Sequence, residues 1–81
     1  MQIPEKEMTD IEYKNIGKAY LKLGEFDKAV DHLSTALNIC HIKKSGTVFD
    51  ILELRSFCYF KLNKLDEAIA DTSVIIDNYK V

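Results

Sequence analysis

A pattern of small and apolar residues in the first half of this chain returns in the second half, and that repetition is the strongest constraint on its fold. Gly17 and Ser56 occupy matching places 39 residues apart, as do Ala29 and Ala68. In each half, an apolar stripe at three- and four-residue spacing leads through a turn signal into a second stripe of the same kind. Such a repeat predicts stacked copies of one helical hairpin.

The first hairpin has readable start and stop signals. Thr9 and Glu12 have the spacing of a capping box, in which each side chain bonds the other's backbone amide, so the first helix begins there. Gly24 ends it, because glycine accepts the left-handed backbone that closes a helix. The second helix begins around residues 25–27 and runs to residue 42 or 43. We predict that its buried face comprises Phe26, Ala29, Val30, Leu33, Ala36, Leu37 and Cys40.

The second hairpin has weaker signals of the same type. Thr47 and Asp50 offer a second capping-box-like start, and Asn63 is a plausible stop for the third helix. That helix carries Leu52, Ser56, Tyr59 and Leu62 on one face. The fourth helix starts near residues 65–67 and is predicted to bury Ala68, Ile69, Thr72, Ile75, Ile76 and Tyr79. The prediction is an all-α fold of four helices in two antiparallel pairs.

Composition limits what such a fold does. The 81 residues carry a formal charge of −2, which gives no global electrostatic case for nucleic acid or a membrane surface. No apolar run approaches the roughly 20 residues needed to span a bilayer, and the charged N-terminus is unlike a signal peptide. We therefore expect a soluble, cytoplasmic chain in which Cys40 and Cys58 are reduced thiols.

Both halves resemble tetratricopeptide repeats, and the resemblance covers roughly residues 10–80. The first half matches the family pattern at Tyr13, Ile16, Gly17, Tyr20, Ala29, Leu33 and Ala36, with His41 at the proline position. The second half keeps Leu52, Ser56, Tyr59 and Ala68, and it departs from the pattern at Arg55, Thr72, Ile75 and Lys80. Because the family period is about 34 residues, the additional residues here fall around 42–48. We divide the chain into a flexible lead-in (1–8), repeat 1 (9–43), an extended turn (44–47) and repeat 2 (48–81).

The resemblance implies a short right-handed solenoid whose first helices line a concave, peptide-binding surface. Carried over by position, this groove comprises Ile11, Lys14, Asn15, Lys18, Leu21 and Lys22 from the first helix. The third helix contributes Asp50, Glu53, Leu54, Phe57, Phe60 and Lys61. Asn15 matches a position where the family often uses an amide to bond the ligand backbone. The implied function is non-catalytic protein–protein interaction, as an adaptor or as part of a larger scaffold protein.

Phe57 and Phe60 stand out because they lie off the apolar stripe of the third helix. One interpretation is that they pack against the adjacent helix or an unseen third repeat; the other is an exposed interaction surface. Lysines at 14, 18, 22 and 61 would surround that surface, which favours a peptide or helix with apolar anchors and acidic residues. A clamp for chaperone tails is disfavoured, because Lys18 and Leu54 stand where that clamp uses asparagines.

The far end of the repeat array suggests an alternative function. About three repeats are generally needed for a stable array, so Ile69, Ile76 and Tyr79 would leave apolar surface where a next repeat would dock. Three explanations stay open: a piece of a larger repeat protein, a homodimer formed through that end, or an adaptor whose partner covers it. The protein or peptide partner itself is not indicated.

Catalysis has no support in the residue pattern. His32 and His41 lack ligand partners at structural zinc spacing, and we place His32 on the exposed face of the second helix. Cys58 falls where a small buried residue is expected, and Cys40 has no activating neighbour. No catalytic constellation is formed, so we predict no metal, no cofactor and no enzyme activity.

Overall fold

The computed structural model describes residues 8–43 and 47–79, and within these ranges the chain forms four α-helices. They are α1 (Asp10–Lys22), α2 (Phe26–Lys43), α3 (Val48–Lys61) and α4 (Leu65–Tyr79), with no strand in the described part. The predicted all-α fold of two helix pairs is confirmed. Most of the predicted lead-in and of the turn between the repeats lies outside the described residues, so those boundaries stay predictions.

The first helix of each pair begins or ends on signals that the sequence predicts. At the start of α1, Glu12 N donates to Thr9 Oγ1 at 3.2 Å and Thr9 N donates to Glu12 Oε1 at 3.2 Å, which completes the capping box. The ends of α1 and α3 are closed by residues in the left-handed region, Gly24 with φ 80° and Asn63 with φ 63°. These residues reverse the chain and set each pair antiparallel.

The predicted cap of α3 is wrong. Thr47 precedes the helix but makes no capping hydrogen bond; its hydroxyl donates instead to Asp10 Oδ2 at 2.7 Å. Cys40 Sγ also donates to Asp10 Oδ2, at 3.1 Å. Asp10 is buried, and a carboxylate removed from water needs such partners. The Thr47 hydroxyl, which the local pattern assigns to the start of α3, therefore bonds the Asp10 carboxylate instead. Together with the bond from Cys40, this contact links α1, α2 and the start of α3.

Small residues let the helices approach closely. A Cβ built on Gly17 would lie 2.8 Å from Leu33 Cγ and 3.3 Å from the carbonyl oxygen of Ala29. Ala29 and Ala36 are fully buried in the core, together with Ile51 of α3. In chain order each helix contacts the next, so α3 packs on the first pair, whereas α4 packs on α3 alone among the described elements.

The predicted burial of α4 is wrong in part. Ala68 is buried, but Ile69 is 63% exposed, Ile76 is 52% exposed and Thr72 is exposed as well. The reason is topological: α2 is covered on its corresponding face by α3, and no described helix covers α4 in the same way. The exposed face of α4 forms one side of the site described next.

Candidate functional site

An open apolar groove of about 790 Å³ lies between α3 and α4. One wall is formed by the α3 side chains of Leu54, Phe57 and Phe60, and the other by apolar side chains of α4. The α4 wall and floor include Leu65, Ala68, Ile69, Thr72, Ser73 and Ile76, and Leu21 of α1 joins the lining. Ser56 and Glu53 of α3 complete the lining, so the groove is largely apolar but contains three hydroxyl groups and one carboxylate.

The sequence allows two interpretations of the phenylalanines, packing against a neighbouring helix or an exposed surface, and the structure has features of both. Phe57 packs edge-on against Phe26 of α2, with 6.3 Å between ring centroids, yet it remains 44% exposed. Lys61 Nζ lies 5.4 Å from the centroid of the Phe57 ring, a cation–π contact that places a positive charge beside the groove. Phe60 is 60% exposed. The adjacent helix therefore positions Phe57 without covering the wall that it forms with Phe60.

The predicted groove residues of α1 separate into two sets. Leu21 lines the groove, whereas Asn15, Lys18 and Lys22 are exposed on α1 without lining it. Lys14 is half-buried and also lies outside the lining. These lysines therefore share a helix with one lining residue, Leu21, but do not line the groove themselves. Most of the lining residues come from the second helix pair.

Residues that the sequence assigns to two separate surfaces meet in this one groove. Phe57 and Phe60 come from the predicted peptide site, and Ile69 and Ile76 come from the predicted self-association surface. Of Tyr79 the structure describes the backbone only. The two surfaces coincide because α3 and α4 are antiparallel neighbours, so their outward-facing apolar residues face the same groove.

A partly buried ion pair, which the sequence analysis missed, joins α4 to α3 beside the groove. Arg55 Nη2 donates to Asp71 Oδ1 at 2.7 Å and Arg55 Nε donates to Asp71 Oδ2 at 2.8 Å. The same guanidinium donates to Ser34 Oγ of α2 at 3.1 Å and lies 5.5 Å from the Tyr59 ring centroid. The hydrogen bond to Asp71 raises the pKa of Arg55 above its ordinary value. The available signal was Arg55 itself, a charge at a position of the repeat pattern that is apolar in the first half.

His32 and the two cysteines pack against their neighbours, whereas His41 is exposed. The prediction that His32 lies on an exposed face is wrong: it is half-buried, with its ring centroid 5.1 Å from that of Tyr20 and 6.2 Å from that of Tyr13. Its position is fixed by a 2.9 Å hydrogen bond between Nδ1 and the Lys28 carbonyl oxygen. Cys58 is fully buried as predicted, and burial raises the pKa of its thiol to about 11, which keeps it protonated and unreactive at neutral pH.

Comparison with known proteins finds one family. The family model named Tetratricopeptide repeat matches residues 11–41, which span most of α1 and α2. No curated protein matches the chain significantly, and no solved structure does so either. Among the described residues, no helix is long and apolar enough to cross a membrane.

Proposed function

We propose that the chain is an adaptor or scaffold module that binds a partner peptide or helix. The match of residues 11–41 to the tetratricopeptide repeat model supports this proposal, and the second helix pair is consistent with another such repeat. Repeats of this family generally mediate protein–protein interaction and are not catalytic. The proposed ligand has apolar anchors and acidic residues. The buried, reduced thiols Cys40 and Cys58 favour a cytoplasmic setting for this module.

The observation that carries this proposal is the apolar groove between α3 and α4. Its wall exposes two aromatic rings, Phe57 and Phe60, and its other side exposes Ile69 and Ile76. Contiguous exposed apolar surface on a folded domain typically marks a binding site. Aromatic side chains in such patches commonly supply much of the binding free energy.

Positive charge near the phenylalanine wall supports the acidic character of the ligand. Lys61 stands over the Phe57 ring. Lys18 and Lys22 add positive charge on α1, exposed one helical turn apart and outside the lining of the groove. Acidic residues in the ligand would be attracted to these ammonium groups, most strongly at low salt, because exposed charges are screened over roughly 10 Å at 0.1 M ionic strength.

The test is a peptide selection against the wild-type chain, followed by affinity measurements on variants. Selected peptides should lose at least tenfold in affinity for the triple variant Lys18→Glu, Lys22→Glu, Phe57→Ala. The matched control is Leu23→Ala, because Leu23 is 75% exposed and does not line the groove. Equal affinity for the triple variant and the control would reject the groove as the binding site.

The second candidate function is self-association through the end of the array at which the sequence places Ile69, Ile76 and Tyr79. It is favoured by the exposure of the first two on a helix that packs on α3 alone among the described elements. Light scattering over a concentration series would show a dimer that dissociates in Ile76→Glu and Tyr79→Glu. A monomer at every concentration would eliminate this candidate.

A further inference from the structure

The α3–α4 groove of the second helix pair corresponds to a groove on the first helix pair, α1 and α2, which the chain fills with its own helix α3. With the 39-residue repeat, the α4 residues Leu65, Ile69 and Ile76 match Phe26, Val30 and Leu37 of α2. All three α2 residues belong to the core or pack against it. Their counterparts on α4 are exposed instead. The same groove is therefore closed in the first repeat and open in the second.

Helix α3 is what closes the first groove. Its side chains at Ile51 and Cys58 are fully buried in the core that the α2 residues share. These positions are seven residues apart, so they lie on one face of the helix. One further contact anchors the helix: Arg55, between them in sequence, donates to Ser34 Oγ of α2 at 3.1 Å.

We propose that the α3–α4 groove binds one amphipathic helix from a separate protein, seated as α3 is seated on the first pair, with a basic side chain hydrogen-bonded to Ser73. Ser73 lines the groove and is the 39-residue counterpart of Ser34. This inference rests on the proposed function and specifies its ligand. The acidic residues of that ligand face Lys61, which stands over the Phe57 ring beside the α3 wall, and its basic residue faces α4.

The charge of α4 supports a basic residue on that side of the ligand. Leu65–Tyr79 contains Asp66, Glu67, Asp71 and Asp77 but no lysine or arginine. Asp71 is neutralised by Arg55, whereas Asp66 and Glu67 are exposed in the first turn. The local field along α4 is therefore negative, and it favours a cationic side chain on the helix that docks there.

A second copy of this chain does not supply such a helix by continuing the stack head to tail. The α1 residues that match Ile51 and Cys58 of α3 are Glu12 and Ala19. Glu12 is engaged in the capping box with Thr9, and Ala19 is exposed. This face of α1 lacks the buried-type side chain that α3 uses at Ile51, so α1 of a second copy does not present a face equivalent to that of α3.

The test uses a synthetic peptide with the sequence of residues 47–62, cross-linked on its solvent face so that it is helical, and labelled for fluorescence anisotropy. It should bind the full chain, and Ile69→Asp should weaken binding at least tenfold. Val74→Asp is the matched control, because Val74 is exposed on the same helix and lies outside the groove lining. An isolated helix of this length is marginal in water, hence the cross-link.

A double-mutant cycle tests the basic contact separately. Ser73→Ala in the protein and Arg55→Ala in the peptide should each weaken binding about fivefold, and the two together should weaken it no further, since they remove one contact. Additive losses would overturn the basic contact while leaving the groove as the binding site.

Equal binding of the peptide to Ile69→Asp and Val74→Asp, or no binding at all, would overturn the helix-docking inference. The peptide selection then decides whether the proposed function survives. A wild-type dimer that Ile69→Asp converts to a monomer would overturn the separate partner.

Discussion

The two helix pairs follow the same path but are held together by different chemistry. In the first pair, Leu33 is fully buried against Gly17, and His32 lies against two tyrosine rings. At the positions 39 residues on, the second pair has Thr72 for Leu33 and Asp71 for His32. Its helices are joined by the Arg55–Asp71 ion pair instead. The course of the backbone in each pair therefore follows from its turn, whereas the contacts between the two helices differ in chemistry from one pair to the other.

What the two pairs keep in common is the geometry of their turns. Glu25 N donates to the Tyr20 carbonyl at 2.9 Å, and Lys64 N donates to the Tyr59 carbonyl at 2.8 Å. These matching bonds close α1 and α3 around Gly24 and Asn63. The shared turns explain why a charged contact in one pair and an apolar contact in the other give the same hairpin.

The ion pair should produce the largest difference between the pairs. Asp71→Ala leaves the partly buried Arg55 guanidinium without its carboxylate, and we expect a loss of about 3 kcal/mol in the free energy of unfolding, at the low end for breaking such pairs. Urea denaturation measures this loss. The exposed Asp31→Ala serves as control and should change stability by no more than about 0.5 kcal/mol.

Replacing both partners separates the cost of an orphaned charge from the value of the pair. Arg55→Leu with Asp71→Leu should recover most of the loss, because apolar side chains of similar volume often match a buried ion pair in stability. A single Asp71→Ala variant within about 0.5 kcal/mol of wild type would contradict a structural role for the pair.

The same contrast shows what the sequence predicts and where prediction fails. The capping box at Thr9 and the stop at Gly24 depend on neighbours in sequence, so the residue pattern is sufficient to find them. The Arg55–Asp71 pair and the Thr47–Asp10 bond depend on how helices cross, and residue spacing does not encode that. The sequence does not predict the α3–α4 groove for the same reason. It assigns the groove residues to two separate surfaces, a peptide site and a self-association surface, and only the packing of α3 on α4 brings them together.

A smaller and pH-dependent difference between the pairs should come from Cys58, whose counterpart Ala19 does not titrate. Burial raises the thiol pKa from 9.0 to about 11. The folded state therefore keeps its full stability below about pH 9, and stability falls as pH rises through 11, because the unfolded thiol ionises first. A shift of this size corresponds to at most about 2–3 kcal/mol.

Comparison with Cys58→Ala isolates this titration from the tyrosines and lysines that ionise in the same range. The free energy of unfolding is measured in urea at several pH values from 8 to 11, a range that brackets the shift in the thiol pKa. Wild type should lose free energy of unfolding faster than Cys58→Ala as the pH rises, so the stability advantage of wild type over the variant should shrink. Parallel stability curves would show that the thiol does not contribute.

The smallest expected effect concerns the close contact between helices. A methyl group at Gly17 would lie 2.8 Å from Leu33 Cγ and 3.0 Å from Leu33 Cδ2, and Leu33 is fully buried, so the added atom forces a shift in the core. Overpacking of this kind costs about 1–3 kcal/mol, and the higher helix propensity of alanine offsets about 1 kcal/mol of it.

The net loss for Gly17→Ala is then about 1 kcal/mol, measured by thermal unfolding. At the matching position in the second pair, Ser56 already carries a Cβ, and Thr72, which is smaller than leucine, is the counterpart of Leu33. Ser56→Ala removes only a hydroxyl that bonds the Glu53 carbonyl at 2.9 Å, so it should leave stability within about 0.5 kcal/mol. If both variants behave alike, the two pairs do not differ in how closely their helices approach, and the comparison fails at this position.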